Sequence, residues 1–283
     1  MNPYKIDGPA IISVSGGRTS GFMLRQIIDA HGGTLPDDVI PVFCNTGLEH
    51  AKTYEFLEEI GKRWVPIRWL EYRTVASEDW DDERAHSFTE VTPETASRAG
   101  EPFEALIRKM RWLPNPVASK CTGELKIRTT KRFVKSLGWD HYTNAVGLRA
   151  DEPHRVHKIA GDGKMEEPVC PMYLAGHDKQ AVVDFWATQP FDLMLPKNDH
   201  AFGNCLGCFK KTPARLRRVF RDEPQAADWW IRMEALKLAD RPTSQRFRSD
   251  GWTYEGLLKD STQPLLFEDD LDTDNALPCA CTE

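Results

Sequence analysis

Three groups of residues have the types and spacing to do chemistry. The first is Ser15-Gly16-Gly17-Arg18-Thr19-Ser20. Adjacent glycines let a backbone take positive φ and approach a ligand closely. Main-chain N–H groups, three hydroxyls and one guanidinium then make an anion cradle, and a following helix N-terminus adds positive partial charge. The second group is Gly147-Leu148-Arg149-Ala150-Asp151-Glu152-Pro153-His154-Arg155. Arg149 and Arg155 can grip phosphate or sulfate in forked geometry. Asp151 or Glu152 can hold Mg²⁺ or orient those arginines. The third is thiol. Cys205-Leu206-Gly207-Cys208 has the spacing of a zinc half-site, an iron–sulfur half-site or a redox pair. With Cys121 and Cys170 it offers three or four soft ligands from three distant segments, the donor set of zinc or an iron–sulfur cluster.

These groups need elements to hold them. Ala10-Ile11-Ile12-Ser13-Val14 reads as a buried strand, followed at once by the glycine string. A helix with Met23, Leu24, Ile27 and Ile28 on one face follows, stopped near Gly32-Gly33. Residues 39–44 read as a second strand, Asn45-Thr46-Gly47 as a turn, and Tyr54, Leu57 and Ile60 as the inner face of a second helix. Residues 66–70 and 142–146 read as further strands. Strand alternating with helix predicts a parallel sheet with helices on both faces. Residues 73–119 are acidic and weakly periodic, with one helix expected over Pro102 to Met110, and read as an insertion or lid, with a solvated loop as the alternative. Residues 122–137 read as one helix with Leu125, Ile127 and Phe133 inside, and Cys44 reads as a small core residue in its strand.

The C-terminal part reads as helical. Lys210 to Arg221 carries six basic residues, with Leu216, Val219 and Phe220 as its apolar side. That pattern suits a solvated basic face better than a nucleic-acid groove. Trp229, Trp230, Met233 and Leu236 read as core. The expected layout is residues 1–200 as the nucleotide-binding α/β part, 201–260 as the Cys-x-x-Cys and helical part, and 261–283 as an acidic tail. Cys279 and Cys281 near the end can carry or resolve sulfur, but read more simply as tail residues.

Net charge is −6, so the chain as a whole is no general nucleic-acid binder. No apolar run approaches the roughly 20 residues of a membrane span. The opening residues lack the layout of a signal peptide. The expectation is a cytoplasmic protein with no membrane contact. Seven cysteines in a reducing compartment argue against structural disulfides.

The glycine string resembles the pyrophosphate loop of the PP-loop ATPase superfamily, Ser-Gly-Gly-x-x-Ser. It lacks the Gly-Lys-Ser/Thr ending of kinase-type P-loops. The turn Asn45-Thr46-Gly47 stands where that family often has Asp-Thr-Gly. The segments Gly147–Arg155 and Cys121-Thr122-Gly123-Glu124-Leu125-Lys126-Ile127 resemble stretches of its phosphoadenosine phosphosulfate (PAPS) reductase-like branch, which is related to DNA phosphorothioation and tRNA thiolation enzymes. The likeness spans about residues 8–236. It implies a Rossmann-like fold of the adenine nucleotide alpha hydrolase type. It implies that ATP or another adenine nucleotide, with Mg²⁺, binds Ser15, Gly16, Gly17, Arg18, Thr19, Ser20, Asn45, Thr46, Gly47, Gly147, Arg149 and Arg155. Arg18, Arg149 and Asp151 are then the catalytic candidates. It implies a [4Fe-4S] cluster on Cys121, Cys205 and Cys208, with Cys170 as fourth ligand or the fourth position open; zinc is the alternative.

The reaction so implied is adenylation of an acceptor with release of pyrophosphate, then sulfur transfer, drawing on a sulfur-donor protein and acting on tRNA, DNA or a small molecule. The first alternative is reduction of adenylyl sulfate or its 3′-phosphate to sulfite. The C-terminal Glu-Cys-Gly-Ile/Leu-His motif of PAPS reductases is missing, which counts against it. The second is a non-catalytic nucleotide-sensing or nucleic-acid-binding module. A homodimer is compatible with all three.

Overall fold

The apolar run Ala10-Ile11-Ile12 becomes strand β1 (Ala10–Ser13) at the centre of a six-stranded sheet. The computed structural model describes residues 2–75, 83–159, 161, 163–238 and 246–263. Cys279, Cys281 and residues 264–283 of the expected acidic tail lie outside the described residues.

After β1 come α1 (Arg18–Ala30), β2 (Val39–Asn45), α2 (Ala51–Arg63) and β3 (Arg68–Thr74). Next are β4 (His86–Val91), α3 (Glu101–Met110), a π-helical stretch (Thr122–Arg128) running into α4 (Thr129–Ser136), and β5 (Tyr142–Val146). The chain continues through α5 (Pro153–Val156), β6 (Glu166–Val169), α6 (Pro171–Leu174) and α7 (Lys179–Ala187). It closes with α8 (Pro213–Asp222), α9 (Asp228–Glu234) and α10 (Tyr254–Ser261). The strand order is β4-β3-β2-β1-β5-β6, parallel throughout except for the β3–β4 pair. This is an α/β protein with a mostly parallel, helix-flanked sheet. Among the described residues, no helix is long and apolar enough to cross a membrane.

Alternate side chains of each strand serve opposite faces. Ile12, Phe43 and Trp69 join α1 and α2 in one apolar cluster. Ile11, Val42, Cys44 and Leu70 meet Phe133 and Val134 of α4 in a second cluster. Two clusters on two faces are why the central strands read as nearly continuous apolar runs. α1 ends at His31, where Gly32 and Gly33 take φ of +75° and +99° and their N–H groups bond the carbonyls of Asp29 and Ile28. The C-terminal helices do not stand apart: Leu216, Trp230, Phe247 and Tyr254 belong to the same cluster as the α1–α2 face.

The structure corrects the sequence reading in two places. The region 73–119 supplies edge strand β4, which the sequence reading did not mark, and helix α3, where a helix over 102–110 was expected; Phe103, Leu106 and Ile107 of α3 are core. The helix expected over 122–137 opens as a π-helix. Its i→i+5 bonding turns successive residues off the α-helical face, so Ile127 is 42% exposed rather than buried.

Gly100 caps α3 at φ +82°, and a Cβ there would meet Trp229 Nε1 at 2.3 Å. Gly100→Ala is expected to cost about 2 kcal/mol or more, because strain and overpacking act together. A urea midpoint equal to that of the parent would refute this packing.

Candidate functional site

The chain runs outward from β1 to β2 and β3, then returns to the other side of β1 as β5. The loops after β1 and β5 therefore diverge from neighbouring strands at one edge of the sheet. Such a switch point is where open α/β sheets leave a crevice for ligands. Both anion-binding segments of the sequence lie there.

In the first loop, Gly16 takes φ +82°, and a Cβ would meet Thr53 Cγ2 of α2 at 2.4 Å. Glycine is required there twice over, by conformation and by space. Ser20 Oγ accepts from Ser15 N–H at 3.1 Å and donates to the Gly17 carbonyl at 3.0 Å, closing the loop on itself. Gly17 is the N-cap of α1 and offers no side chain to the first-turn N–H groups. Those amides face the loop as an anion-binding end.

The second loop packs directly on the first. A Cβ on Gly147 would stand 3.4 Å from Ser20 Cα. Arg149 donates to Thr19 Oγ1 at 3.4 Å and is braced by Asp151 Oδ1 at 3.0 Å. Burial pushes the Asp151 carboxyl up, but the hydrogen bond and charge of Arg149 outweigh it and hold it below the usual carboxylate range. Glu152 accepts from the Arg149 N–H at 3.1 Å and pairs with Arg155. The two carboxylates thus orient the two arginines. Arg18, the other expected charge donor, is committed elsewhere. Its guanidinium forms a bidentate pair with Asp192 at 2.7 and 2.6 Å, and its carbonyl accepts from Trp186 Nε1. Arg149 is the arginine that reaches the loop.

Beneath the loops, on the α4 face of the sheet, lies a cavity of about 370 Å³. Its floor is a polar ladder across three strands. Ser13 Oγ donates to Asn144 Oδ1 at 2.8 Å, Asn144 Nδ2 donates to Glu166 Oε1 at 2.7 Å, and Lys131 Nζ pairs with Glu166 Oε2 at 2.9 Å. Cys44 and Thr130 line the same space, with Sγ and Oγ1 3.3 Å apart. Cys44 is thus both a core residue and a cavity residue. The ladder escaped sequence reasoning. Its readable signal was Asn144, a poor β-former in the middle of an interior strand.

The turn after β2 serves another purpose than the loop. The buried Asn45 side chain donates to Glu71 Oε1 at 2.7 Å and the Ser97 carbonyl at 2.9 Å, and accepts from Gly47 N–H and Tyr54 Oη, each at 3.0 Å. Its hydrogen-bonding capacity is spent inside the protein. Thr46 Oγ1 donates to Glu49 Oε1 at 2.8 Å and lies 3.3 Å from Cys205 Sγ. Burial and the Glu49 carboxylate push the Tyr54 hydroxyl far above the phenol range, so it remains a donor. None of Asn45, Thr46 and Gly47 lines the large cavity.

Cys121, Cys205 and Cys208 line a second, small cavity with Phe103, Phe209 and Trp230. Thr122 and Lys126 of the π-helix line both cavities, so one helical turn is the wall between the thiols and the larger space. Thr122 Oγ1 is buried there, and no hydrogen-bond partner for it exists among the described residues. Cys170 is not in this group. It caps α6 beyond edge strand β6 and is buried, which raises its thiol above the usual range. Among the described residues, no three or more His, Cys, Asp or Glu side chains stand in an arrangement that holds a metal ion.

Fold and site together define an α/β protein with a glycine loop at its switch point and a small thiol-lined cavity that shares the Thr122–Lys126 wall with the cavity below that loop. No family model matches the chain. It is 31% identical over 220 residues to the uncharacterized nin region protein ORF290 of Escherichia phage lambda, covering 75% of this chain and 70% of that protein. The chain belongs to the family of that phage protein.

The raised Cys170 thiol has a consequence with a definite sign. Below about pH 8.5 the thiol is neutral in folded and unfolded chains alike. Above it the unfolded chain ionises first, so stability falls as pH rises toward the folded value. Cys170→Ala should lose less stability than the parent between about pH 7.5 and about pH 9.5, read from urea midpoints. Equal losses would mean that burial does not shift this thiol.

Proposed function

We propose that this protein is an ATP-dependent enzyme of the PP-loop type that adenylates an acceptor and then delivers sulfur to it. The observation that carries the reading is the wall made by Thr122 and Lys126, which sets the thiol cavity directly against the large cavity below the glycine loop. A cavity of this size lies in the range of small-molecule sites.

In this reading the triphosphate lies along Gly16, Gly17 and the first turn of α1, with Arg149 supplying charge from the second loop. An acceptor oxygen attacks the α-phosphorus. The bond to the β-phosphate oxygen breaks, and pyrophosphate leaves into the amide cradle, stabilised there as its charge develops. Hydrosulfide-level sulfur then attacks the activated acceptor carbon, the carbon–oxygen bond breaks, and AMP departs. Loop positioning and charge neutralisation, with Mg²⁺ on the phosphates, supply the catalysis.

The thiols share one cavity but do not, as they stand, form a metal-holding group among the described residues. Cys121, Cys205 and Cys208 would be the residues to hold a soft metal centre, with Cys170 standing apart from them. A [4Fe-4S] cluster bound there would supply a Lewis-acidic iron that presents sulfur; zinc would be the alternative Lewis acid. Cytoplasmic operation, a sulfur-donor protein and a tRNA, DNA or small-molecule acceptor belong to the same reading.

The pairing of Cys205 and Cys208 in one cavity favours a second reading, reduction of adenylyl sulfate. One thiolate attacks the sulfate sulfur and expels AMP; the other attacks the first sulfur, forming a disulfide and releasing sulfite. A dithiol reductant then restores the pair.

Gly17→Asp should abolish ATP binding by setting a carboxylate against the phosphates. Unchanged affinity by titration calorimetry would refute the loop assignment. Anaerobic purification with iron, sulfide and zinc analysis tests the thiols. About four iron and four sulfide per chain, lost in Cys121→Ser, Cys205→Ser and Cys208→Ser but kept in Cys170→Ser, is the expected result. Full metal in Cys205→Ser would remove Cys205 from the site. Release of AMP and pyrophosphate from ATP, against sulfite from adenylyl sulfate, separates the two reactions.

A further inference from the structure

The segment that carries Cys205 and Cys208 is irregular backbone inside the core, and its carbonyls need partners there. Lys211, which is 9% exposed, serves four of them. The three N–H groups of its Nζ are shared among the carbonyls of Ala201 at 2.7 Å, Gly203 at 2.8 Å, Cys205 at 2.9 Å and Leu206 at 3.1 Å. Tyr254 Oη takes the Gly207 carbonyl, and the buried Arg248 takes those of Phe209 and Lys211. The Lys211 N–H takes that of Cys208. Every carbonyl from Cys205 to Phe209 is thereby held. Asn204 sits at φ +55° within this ring, a conformation a free loop would leave.

Four carbonyl oxygens converging on one ammonium make the environment that, in ion filters, replaces the water shell of a potassium ion. We propose that the Lys211 ammonium is a built-in structural cation, a positioning residue that fixes where the Cys205 and Cys208 thiols stand. Its removal converts the carbonyl ring into a site for a free monovalent cation. The inference rests on the reading of Cys205 and Cys208 as working thiols. Its test needs neither nucleotide nor metal, so either idea can fail while the other survives.

The test is alkylation of the full-length, metal-free protein by iodoacetamide, with rates at each cysteine read by peptide mass spectrometry. In Lys211→Ala, Cys205 and Cys208 should react roughly tenfold faster than in the parent, while Cys44 and Cys170 stay within about twofold. Potassium or propylammonium, which refills the vacated side-chain space, should restore slow rates; tetraethylammonium, too large for the ring, should not. An equal rise at all four cysteines, no rise at any, or no rescue by either cation would overturn the proposal. The unmutated protein gives a second measurement that does not depend on a variant folding. Acetic anhydride should modify exposed Lys197 rapidly and Lys211 slowly. Equal rates at the two lysines would also overturn it.

Discussion

The position of β1 between β2 and β5 is the constraint on which the rest of the site depends. A parallel sheet grows by crossovers, and each crossover leaves a loop at the carboxyl edge. Here the chain builds outward on one side, then reverses past its starting strand. The two loops that flank the reversal diverge, and a crevice opens between them. Gly16 and Gly147 are the residues that let this crevice be lined by backbone rather than filled by side chains. One allows α2 to close on the loop; the other brings the second loop within van der Waals contact of Ser20.

A second constraint comes from burying irregular backbone. Each unsatisfied buried carbonyl costs about 1–3 kcal/mol. The Cys205–Phe209 segment has five in succession, which unpaired would rival the whole net stability of about 5–15 kcal/mol of an ordinary domain. Lys211, Arg248 and Tyr254 remove that cost, but burying two cations carries its own penalty. A surface loop would have met the same need with water. The buried, cation-held segment instead sets the thiols inside, against Phe103, Trp230 and the π-helix.

The legible parts of the sequence were those where one signal dominated. The run 10–14, the double glycine and the periodic face of α1 agreed with one another, and the structure follows them. Edge strands β4 and β6 were illegible for a physical reason. His86–Val91 pairs on one side only and is polar at four of its six positions with no period of two, while Glu166–Val169 is four residues long, opens on two glutamates and carries Pro168. Cys121, Cys205 and Cys208 do line one cavity, though not as a metal-holding group among the described residues. The expected convergence fails for Cys170, because distance along the chain says nothing about which side of the sheet a segment reaches. The Ser13–Asn144–Glu166 ladder was missed because each member looks innocuous alone, and only strand register makes it a line.

Arg18 and Arg149 show how geometry assigns roles that motif matching leaves open. Both lie in the loops that flank the switch point, and both present a planar, forked guanidinium. Arg18 makes two hydrogen bonds of 2.6–2.7 Å to Asp192, so turning toward a ligand would first require breaking a charge-assisted fork. Arg149 approaches the loop with a single long contact of 3.4 Å to Thr19 and is steered by Asp151 from behind. A long contact is cheap to exchange, and an incoming phosphate oxygen would be a better acceptor than a neutral hydroxyl. Arg149 could therefore trade its one weak contact for a ligand oxygen while its fork with Asp151, at 3.0 and 3.3 Å, stays in place, whereas Arg18 ties its own loop to Asp192.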